Sequence, residues 1–169
     1  MDYFTADLHL SHENIIGYCA RPFANAKKMN ATIIRRFNEV LTEGDTLYIL
    51  GDLSTWYNVQ PEEIGKLVRR IKGRKILILG NHDKFNVFDY IDMGIESAHT
   101  HFFHEGLRVH LVHDPSVASG PASMLWLCGH VHGLFKEVRN VLNVGVDVWD
   151  FRPVSETEVR EWIAGKELR

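Results

Sequence analysis

Four short motifs in this chain place aspartate, histidine or asparagine at the end of an apolar run. They are Asp7-Leu8-His9, Gly51-Asp52, Gly80-Asn81-His82-Asp83 and Gly129-His130-Val131-His132. In the last motif, alternate residues of an extended segment point the same way, so both imidazoles can reach one centre. Carboxylates and imidazoles together suit metals such as manganese, iron and zinc. We therefore expect the four motifs to build a metal site.

Each motif alone has an ordinary explanation. An Asp-x-His pair occurs by chance in many proteins, and Gly-Asp is also common turn chemistry. A single histidine is more often a structural residue than a metal ligand. The metal site is favoured because all four motifs occur in one chain, each after a run that resembles a strand.

Hydrophobic patterning predicts the elements that would position these motifs. In the first half, strands are expected at Asp2–Ala6, Thr46–Leu50 and Lys75–Leu79. Apolar residues at helical spacing between Ala26 and Leu41 predict one helix, and Pro61 with the acids after it predicts the start of another. This alternation is typical of parallel strands whose sheet is covered by helices.

The second half is expected to add antiparallel strands. Segments Ser97–Phe103 and Arg108–Val112 flank a hairpin turn. Further strands are expected at Met124–Cys128, Val138–Val144 and Val148–Val154. Ser155 and Glu158 have the spacing of a capping box, which predicts a final helix. The expected fold is α/β, with two mixed sheets packed face to face and helices on the outside.

Length and composition limit the classes of function. With 169 residues, the chain is expected to form one domain over residues 1–169. The formal net charge of −3 provides no broad basic surface, so extended nucleic-acid binding is not expected. No apolar run approaches the roughly 20 residues that span a bilayer. We expect a cytoplasmic protein that does not bind membranes, and the oligomeric state stays open.

The ordered set of motifs resembles the calcineurin-like metallophosphoesterase superfamily. Its pattern is Asp-x-His, Gly-Asp, Gly-Asn-His-Asp/Glu, an isolated His and Gly-His-x-His, and His113 matches the isolated His. The segment from Asp7 to Ile16, the Arg-Pro-Phe at Arg21, and Asn143-Val144-Gly145-Val146-Asp147 are similar to a subgroup of small bacterial and phage phosphoesterases. The resemblance implies a four-layer α-β-β-α sandwich without a cap domain.

The resemblance also implies a dinuclear metal centre. The ligands carried over are Asp7, His9 and His132 for one ion, Asn81, His113 and His130 for the other, and Asp52 bridging both. Manganese is the expected ion, with iron, zinc or nickel as alternatives. A metal-bridging hydroxide would attack phosphorus in line, and His82 would stabilise the transition state or protonate the leaving oxygen. The substrate would be a small phosphoester, with diesters favoured over monoesters because the cleft is open.

Several residues near the motifs have two possible roles. Arg21 and His12 are candidates for binding the phosphate or its leaving group, and for Arg21 a surface salt bridge is the alternative. Asp83 could orient His82 or serve only as a structural carboxylate.

Other residues outside the motifs also allow two interpretations. Trp56 and Tyr57 could pack in the core or stack on a base or aryl group. A second cluster, expected to consist of solvent-exposed imidazoles and not of metal ligands, contains His99, His101, His104 and His110.

An alternative function is a non-catalytic scaffold that uses the same fold to bind a partner protein. Such a scaffold typically lacks part of the ligand set. Here all seven ligand positions and the catalytic histidine are filled. We therefore expect a metal-dependent phosphoric ester hydrolase.

Overall fold

The computed structural model describes residues 1–55, 57 and 59–167. In chain order, the strands and helices are β1 (Asp2–Thr5), α1 (Asn14–Tyr18), α2 (Ala26–Val40), β2 (Thr46–Leu50), α3 (Pro61–Val68), β3 (Arg74–Ile78), α4 (Val87–Met93), β4 (Ser97–His99), β5 (Phe102–His104), β6 (Val109–Leu111), β7 (Leu125–Cys128), β8 (Glu137–Val138), β9 (Val141–Asn143), β10 (Val154–Ser155) and α5 (Glu156–Glu167). Short 3₁₀ turns cover Pro115–Val117 and Val146–Val148. None of the described helices is long and apolar enough to cross a membrane.

The first sheet has the strand order β10-β1-β2-β3-β4. Strands β1, β2 and β3 are parallel, as predicted from the strand and helix alternation. Strand β4 is also parallel, although its segment was expected to be antiparallel, and β10 is antiparallel to β1. Because parallel strands end at one edge of a sheet, the loops after β1, β2 and β3 lie side by side. These loops carry Asp7, Asp52 and Asn81. The first sheet therefore brings three of the four motifs to one edge.

The second sheet has the order β5-β6-β7-β9-β8, in which β6, β7 and β9 are parallel. The chain after β6 and β7 carries His113 and the Gly-His-x-His motif. A core of buried side chains, including Phe4, Leu50 and Leu127, fills the space between the two sheets. Each fully buried side chain of this size contributes about 1.5–3 kcal/mol relative to exposure. This packing holds the two functional edges together.

The outer layers of the two sheets differ. Helices α1 to α4 pack on the first sheet over a core that includes Phe37 and Leu77. On the second sheet, Trp126 and Cys128 are covered by side chains such as Met124 and Phe135, which lie outside any described helix. Helix α5 instead joins the core between the sheets through Val159. The predicted α/β fold with two mixed sheets is confirmed, and one of its outer layers is built from loops.

The predicted strand Val148–Val154 is wrong. The chain there begins with a 3₁₀ turn, and strand β10 starts only at Val154. Asp150 and Phe151 have φ angles of 52° and 55°, and this left-handed conformation cannot continue a strand. The capping box of the final helix is confirmed, because Ser155 and Glu158 each accept a hydrogen bond from the other's backbone N–H.

Four further features were not predicted correctly. The expected strand Val138–Val144 is divided into β8 and β9, which pair antiparallel with each other. The expected strand Ser97–Phe103 is divided between the sheets, with β4 pairing with β3 and β5 pairing with β6. Helix α1 has five residues, too few for a hydrophobic period to be visible. Helix α4 begins at a capping box of Asn86 and Asp89 and ends at Gly94 with φ 91°, and these were the sequence signals for it.

Gly129 lies where the two sheets approach each other closely at the edge that carries the motifs. A Cβ atom at this position would lie 2.4 Å from the Cβ of Ala6 and 2.9 Å from the carbonyl oxygen of Leu50. Both obstacles belong to the rigid ends of β1 and β2, so they cannot move as a flexible side chain would. Only glycine fits this contact.

We predict that Gly129→Ala lowers the free energy of unfolding by about 1–3 kcal/mol, as overpacking of a dense interior does. Urea unfolding monitored by tryptophan fluorescence would measure the change. Gly133→Ala is the matched control, because a Cβ at Gly133 meets nothing within 4 Å. Equal stability of the two variants would contradict the close approach of the sheets.

Candidate metal centre

The backbone conformation is unusual at the proposed ligands. Left-handed φ angles between 46° and 70° occur at Asp7, His9, Asp52, His130 and His132. For residues other than glycine this conformation costs on the order of 1 kcal/mol each, and it clusters at functional sites. The loops support one another, since the N–H of Asp7 donates to Gly51 O at 3.0 Å and that of His9 to Asp52 O at 2.9 Å.

One group of potential ligands consists of Asp7, His9 and His132, whose ligand atoms all lie within 4.8 Å of one another. Asp7 and His9 are almost completely buried. The Oδ2 atom of Asp7 and the Nε2 atom of His9 are buried without a hydrogen-bond partner. Leaving such atoms unpaired costs about 1–3 kcal/mol each, so their presence needs an explanation. A cation between them would satisfy both, and the residues therefore fit a metal.

A second group surrounds the amide of Asn81. Its Oδ1 atom lies 2.9 Å from Nε2 of His113 and 2.9 Å from Nδ1 of His130. The two imidazole nitrogens are 3.2 Å apart, so the three potential ligand atoms converge on a small volume. The Nδ1 atom of His113 lies 2.9 Å from the carbonyl oxygen of Leu50, which leaves Nε2 directed at that volume.

Asp52 stands between the two groups. Its Oδ2 atom is 3.5 Å from Nε2 of His9 and 3.5 Å from Nε2 of His113. Asp7, Asp52 and His113 also form a set whose ligand atoms lie within 4.8 Å of one another. All seven predicted ligands are thus brought together at the edge shared by the two sheets, with Asp52 in the position of a bridge.

His82 lies on the outer side of this cluster. Its backbone N–H donates to Oδ1 of Asp52 at 2.9 Å. Its ring is half-buried, with its centroid 5.3 Å from the ring of His9 and 6.1 Å from that of His12. The Nδ1 atom of His12 in turn lies 3.3 Å from Nδ1 of His9. Both imidazoles therefore border the space a substrate would enter.

Asp83 is a structural carboxylate in this arrangement. Oδ2 accepts hydrogen bonds of 2.8 Å from the N–H groups of Asp52 and Gly80, and Oδ1 accepts one of 3.1 Å from Leu53. These contacts join the second and third motif loops and do not involve the imidazole of His82. Burial raises the pKa of Asp83 to about 7, and the three N–H donors oppose that shift.

Arg21 is not placed where a phosphate-binding residue would be. Its side chain is buried, and its guanidinium forms a two-point ion pair with Asp147 at 2.8 Å for each contact. The other donors reach the carbonyl oxygens of Asp7 and Leu8 at 2.7 and 3.2 Å and the sulfur of Met29. All five N–H groups are occupied inside the protein. Both sequence interpretations, phosphate binding and a surface salt bridge, therefore disagree with the structure.

Asp147 contacts a proposed ligand, and the sequence motifs had assigned it no role. Its Oδ2 atom accepts a hydrogen bond of 2.9 Å from Nδ1 of His132. A carboxylate on one ring nitrogen fixes the tautomer and leaves the other nitrogen for a metal. Arg21 holds Asp147 in turn, so a buried chain of contacts connects Arg21 to His132. The signal for Asp147 was present in the subgroup motif from Asn143 to Asp147.

The buried position of the cluster shifts the pKa values of its titratable groups. Burial raises the pKa of Asp7 to about 7. Burial, followed by the charges of Arg21 and His132, lowers the pKa of His9 well below its usual range. For His132, burial alone would lower the pKa, but the hydrogen bond that its imidazole donates to Asp147 and the charges of Asp7 and Asp147 together outweigh burial, so the pKa is raised. The carboxyl group of Asp7 and the imidazole of His132 thus both favour holding a proton that a metal would displace.

The second histidine cluster is not one site. His101 and His110 are paired through ring nitrogens 2.8 Å apart, whereas His99 contacts Ser97. His104 contradicts the expectation of exposed imidazoles, because it is buried and contacts Asp2 at 2.8 Å. The candidate three-ligand groups among the described residues include none of the four. Of the two aromatic residues after Asp52, Trp56 lies outside the described residues and Tyr57 is 66% exposed.

We predict that metal binding is coupled to proton release. A metal ligand must be deprotonated, so below pH 7 the ion has to displace the proton of Asp7, whose folded-state pKa is about 7. The affinity for Mn²⁺ should therefore fall about tenfold per pH unit below pH 7 for each displaced proton and change less above it. Calorimetric titration at pH 6 and pH 8, in buffers of different ionisation enthalpy, would count the protons. Binding at pH 6 without proton release would contradict this picture.

We predict that Asp147→Asn weakens Mn²⁺ binding about 10–100-fold, the usual effect of losing the carboxylate behind a ligating histidine. It should also lower the melting temperature, because the buried Arg21 loses its counter-charge. Metal titration of the folded variant, with separate thermal unfolding of its metal-free form, distinguishes the two effects. Asp150→Asn is the control, since that carboxylate is exposed and pairs with Arg36. Unchanged metal affinity in Asp147→Asn would refute the role of Asp147.

Comparison with known proteins agrees with this geometry. Residues 3–130 match the calcineurin-like phosphoesterase family. The protein MJ1445 of Methanocaldococcus jannaschii is 33% identical over 162 residues, which cover 90% of this chain and 85% of that protein. The structure of AQ665 from Aquifex aeolicus superposes with a TM-score of 0.75 at 28% identity, covering 96% of this chain and 99% of that chain.

A more distant structure shows the same fold. The nuclease MPE of Pseudomonas putida superposes with a TM-score of 0.51 at 21% identity, over 78% of this chain and 61% of that chain. The family match covers most of the chain, includes six of the seven proposed ligands and leaves out only His132. The chain belongs to the calcineurin-like phosphoesterase family.

Proposed function

We propose that this protein is a phosphodiesterase that works with two bound divalent metal ions, Mn²⁺ being the expected species. The observation that carries the proposal is the convergence of the seven ligands on two adjacent volumes, with Asp52 3.5 Å from an imidazole of each. Mixed oxygen and imidazole ligands are typical of sites for manganese, iron, nickel and zinc. When bound, the ions would supply an activated water as nucleophile and neutralise charge on the phosphoryl oxygens.

The protein groups have separate tasks in this reaction. Hydrolysis forms a bond between the water oxygen and phosphorus and breaks the bond from phosphorus to the leaving oxygen, which must take up a proton. The His82 ring is held at the cluster by its backbone contact with Asp52 and faces the open side. We assign it the donation of that proton, or a hydrogen bond to the charge that develops on the phosphoryl group. Asp147 and Asp83 act behind the ligands by holding His132 and the loops in place.

The charges around the cluster favour a diester over a monoester. A diester carries one negative charge, whereas a monoester at neutral pH carries close to two. The additional charge would need a cationic side chain beside the metals. Arg21 is the arginine nearest in sequence to the first motif, and its donors are all occupied internally. The described lining of the adjacent pocket contains no lysine or arginine. The nuclease of the same fold is consistent with this preference.

A non-catalytic scaffold is the second candidate, and the site argues against it. A scaffold needs no strained ligand loops, yet five of the ligands adopt left-handed backbone conformations. It also needs no buried atoms without a partner, such as those of Asp7 and His9. Retaining these features has a free-energy cost that metal binding would offset.

We predict that Asp52→Asn and His82→Ala each reduce the turnover of bis(p-nitrophenyl) phosphate by the Mn²⁺-loaded protein at least about 100-fold. Asp52→Asn should also lose metal, because the bridging charge is removed. His82→Ala should keep its metal content, because that ring is not a ligand. Release of p-nitrophenol and elemental analysis would measure the two effects.

The controls are Asp92→Asn and His101→Ala, which change exposed side chains away from the cluster. Both should retain wild-type turnover. Near-normal turnover in both Asp52→Asn and His82→Ala would refute the proposed mechanism. Metal-loaded wild-type protein that hydrolyses no phosphoester would favour the scaffold.

A further inference from the structure

A pocket of about 500 Å³ opens directly beside His82. Its described lining consists of Ser11, His12, Glu13, Asn14, Tyr18, Thr55, Tyr57, Val59 and His82. It borders the metal cluster, because His12 lies 3.3 Å from His9 through their Nδ1 atoms. The volume falls within the usual range for sites that hold one small organic group. Within this lining, His82 is the residue with a proposed role in the hydrolysis.

The pocket walls present two tyrosines with unusually large exposed surfaces. Tyr18, the last residue of α1, is 76% exposed, and Tyr57 is 66% exposed. The ring of Tyr18 stands nearly perpendicular to that of His12, with centroids 6.4 Å apart. Exposed tyrosines beside a catalytic group are well suited to contact a planar ring, since each offers a large apolar face and few torsions to immobilise.

The charge of the pocket disfavours a substrate that carries a second phosphate group beside the scissile one. Glu13 is the one residue of its described lining that is ordinarily charged at neutral pH, and its Oε2 atom accepts a hydrogen bond of 2.8 Å from the N–H of Ala26. A carboxylate would repel another anionic group, and the described lining offers no lysine or arginine to compensate. An uncharged group is therefore preferred, and Asn14 and Thr55 supply polar contacts at its edge.

We propose that this pocket binds the leaving group of the substrate and selects an uncharged aromatic ring, either a nucleoside base or an aryl group. This inference rests on the proposed phosphodiesterase activity, because His82 is the group assigned to the leaving oxygen. The pocket begins at that ring, so the part of the substrate that departs as an alcohol extends into it. The preferred substrate is then a diester whose leaving alcohol carries one ring system next to the scissile bond.

The test compares three diesters in the Mn²⁺-loaded protein. Bis(p-nitrophenyl) phosphate has an aryl leaving group, a thymidine dinucleotide has a nucleoside, and a bis(trifluoroethyl) phosphate has no ring. Tyr18→Ala should reduce kcat/KM for at least one ring-bearing diester about tenfold more than for the ringless diester, the scale expected for lost stacking. Tyr18→Phe keeps the ring and should restore most of the difference. The ring-bearing diester whose kcat/KM falls more in Tyr18→Ala shows whether the pocket prefers an aryl group or a nucleoside base.

The matched control is Phe88→Ala, because Phe88 is 73% exposed on α4 and does not line the pocket. It should alter none of the three rates. A direct binding measurement is independent of turnover: NMR titration with thymidine, p-nitrophenol and ribose, at a pH low enough to keep p-nitrophenol uncharged. Thymidine or p-nitrophenol should bind more tightly than ribose, and Tyr18→Ala should remove that advantage.

The outcomes separate this inference from the proposed function. If no diester is hydrolysed but ring-bearing alcohols bind in a manner that depends on Tyr18, the phosphodiesterase proposal fails and the aromatic pocket stands. If diesters are hydrolysed and Tyr18→Ala reduces all three rates equally, the activity stands and the pocket assignment is overturned. Equal binding of thymidine, p-nitrophenol and ribose to the wild-type protein also overturns the assignment of the pocket to an aromatic ring.

Discussion

The carboxylate of Asp7, buried where the two sheets meet, is the constraint on which the rest of the structure depends. A charged group without solvent has a high free energy unless its surroundings compensate it. Here the compensation comes from the loop after β7, since Oδ1 accepts the N–H of His130 at 2.9 Å and the charge of His132 also lowers the pKa of Asp7. The Oδ2 atom is left for an ion. The raised pKa of Asp7 is the physical expression of this incomplete compensation.

The glycines around Asp7 follow from the same constraint. A Cβ on Gly145 would lie 2.6 Å from Oδ2 of Asp7, and one on Gly129 would lie 3.1 Å from the same atom. The second sheet can therefore reach the carboxylate only with residues that have no side chain. The close approach places His130 and His132, which lie one and three residues after Gly129, against the loops of the first sheet. The proposed dinuclear site draws ligands from both sheets and therefore requires this short distance.

The two sides of the site differ in construction. Behind the ligands, Arg21 and Asp83 are buried and Asp147 is half-buried, and their hydrogen bonds hold the loops against the strain of the left-handed residues. On the open side, Tyr18 and Tyr57 are largely exposed and line a pocket. A rigid inner side fixes the ligand atoms, and an open outer side admits a substrate. This division suits a reaction whose chemistry is carried by metals and whose selectivity is set by the neighbouring surface.

The sequence by itself determined the family, the parallel pairing of β1, β2 and β3, and the identity of the proposed ligands. It could do so because each ligand follows a strand of strong apolar pattern, and parallel strands deliver their ends to one edge. It could not determine the role of Arg21, because a guanidinium serves a buried carboxylate and a phosphate equally well. Only the tertiary structure showed that Asp147, 126 positions away, accepts hydrogen bonds from two nitrogens of the Arg21 guanidinium. The division of Ser97–Phe103 between two sheets and the turn at Asp150 were likewise decided by long-range packing, which local patterns do not encode.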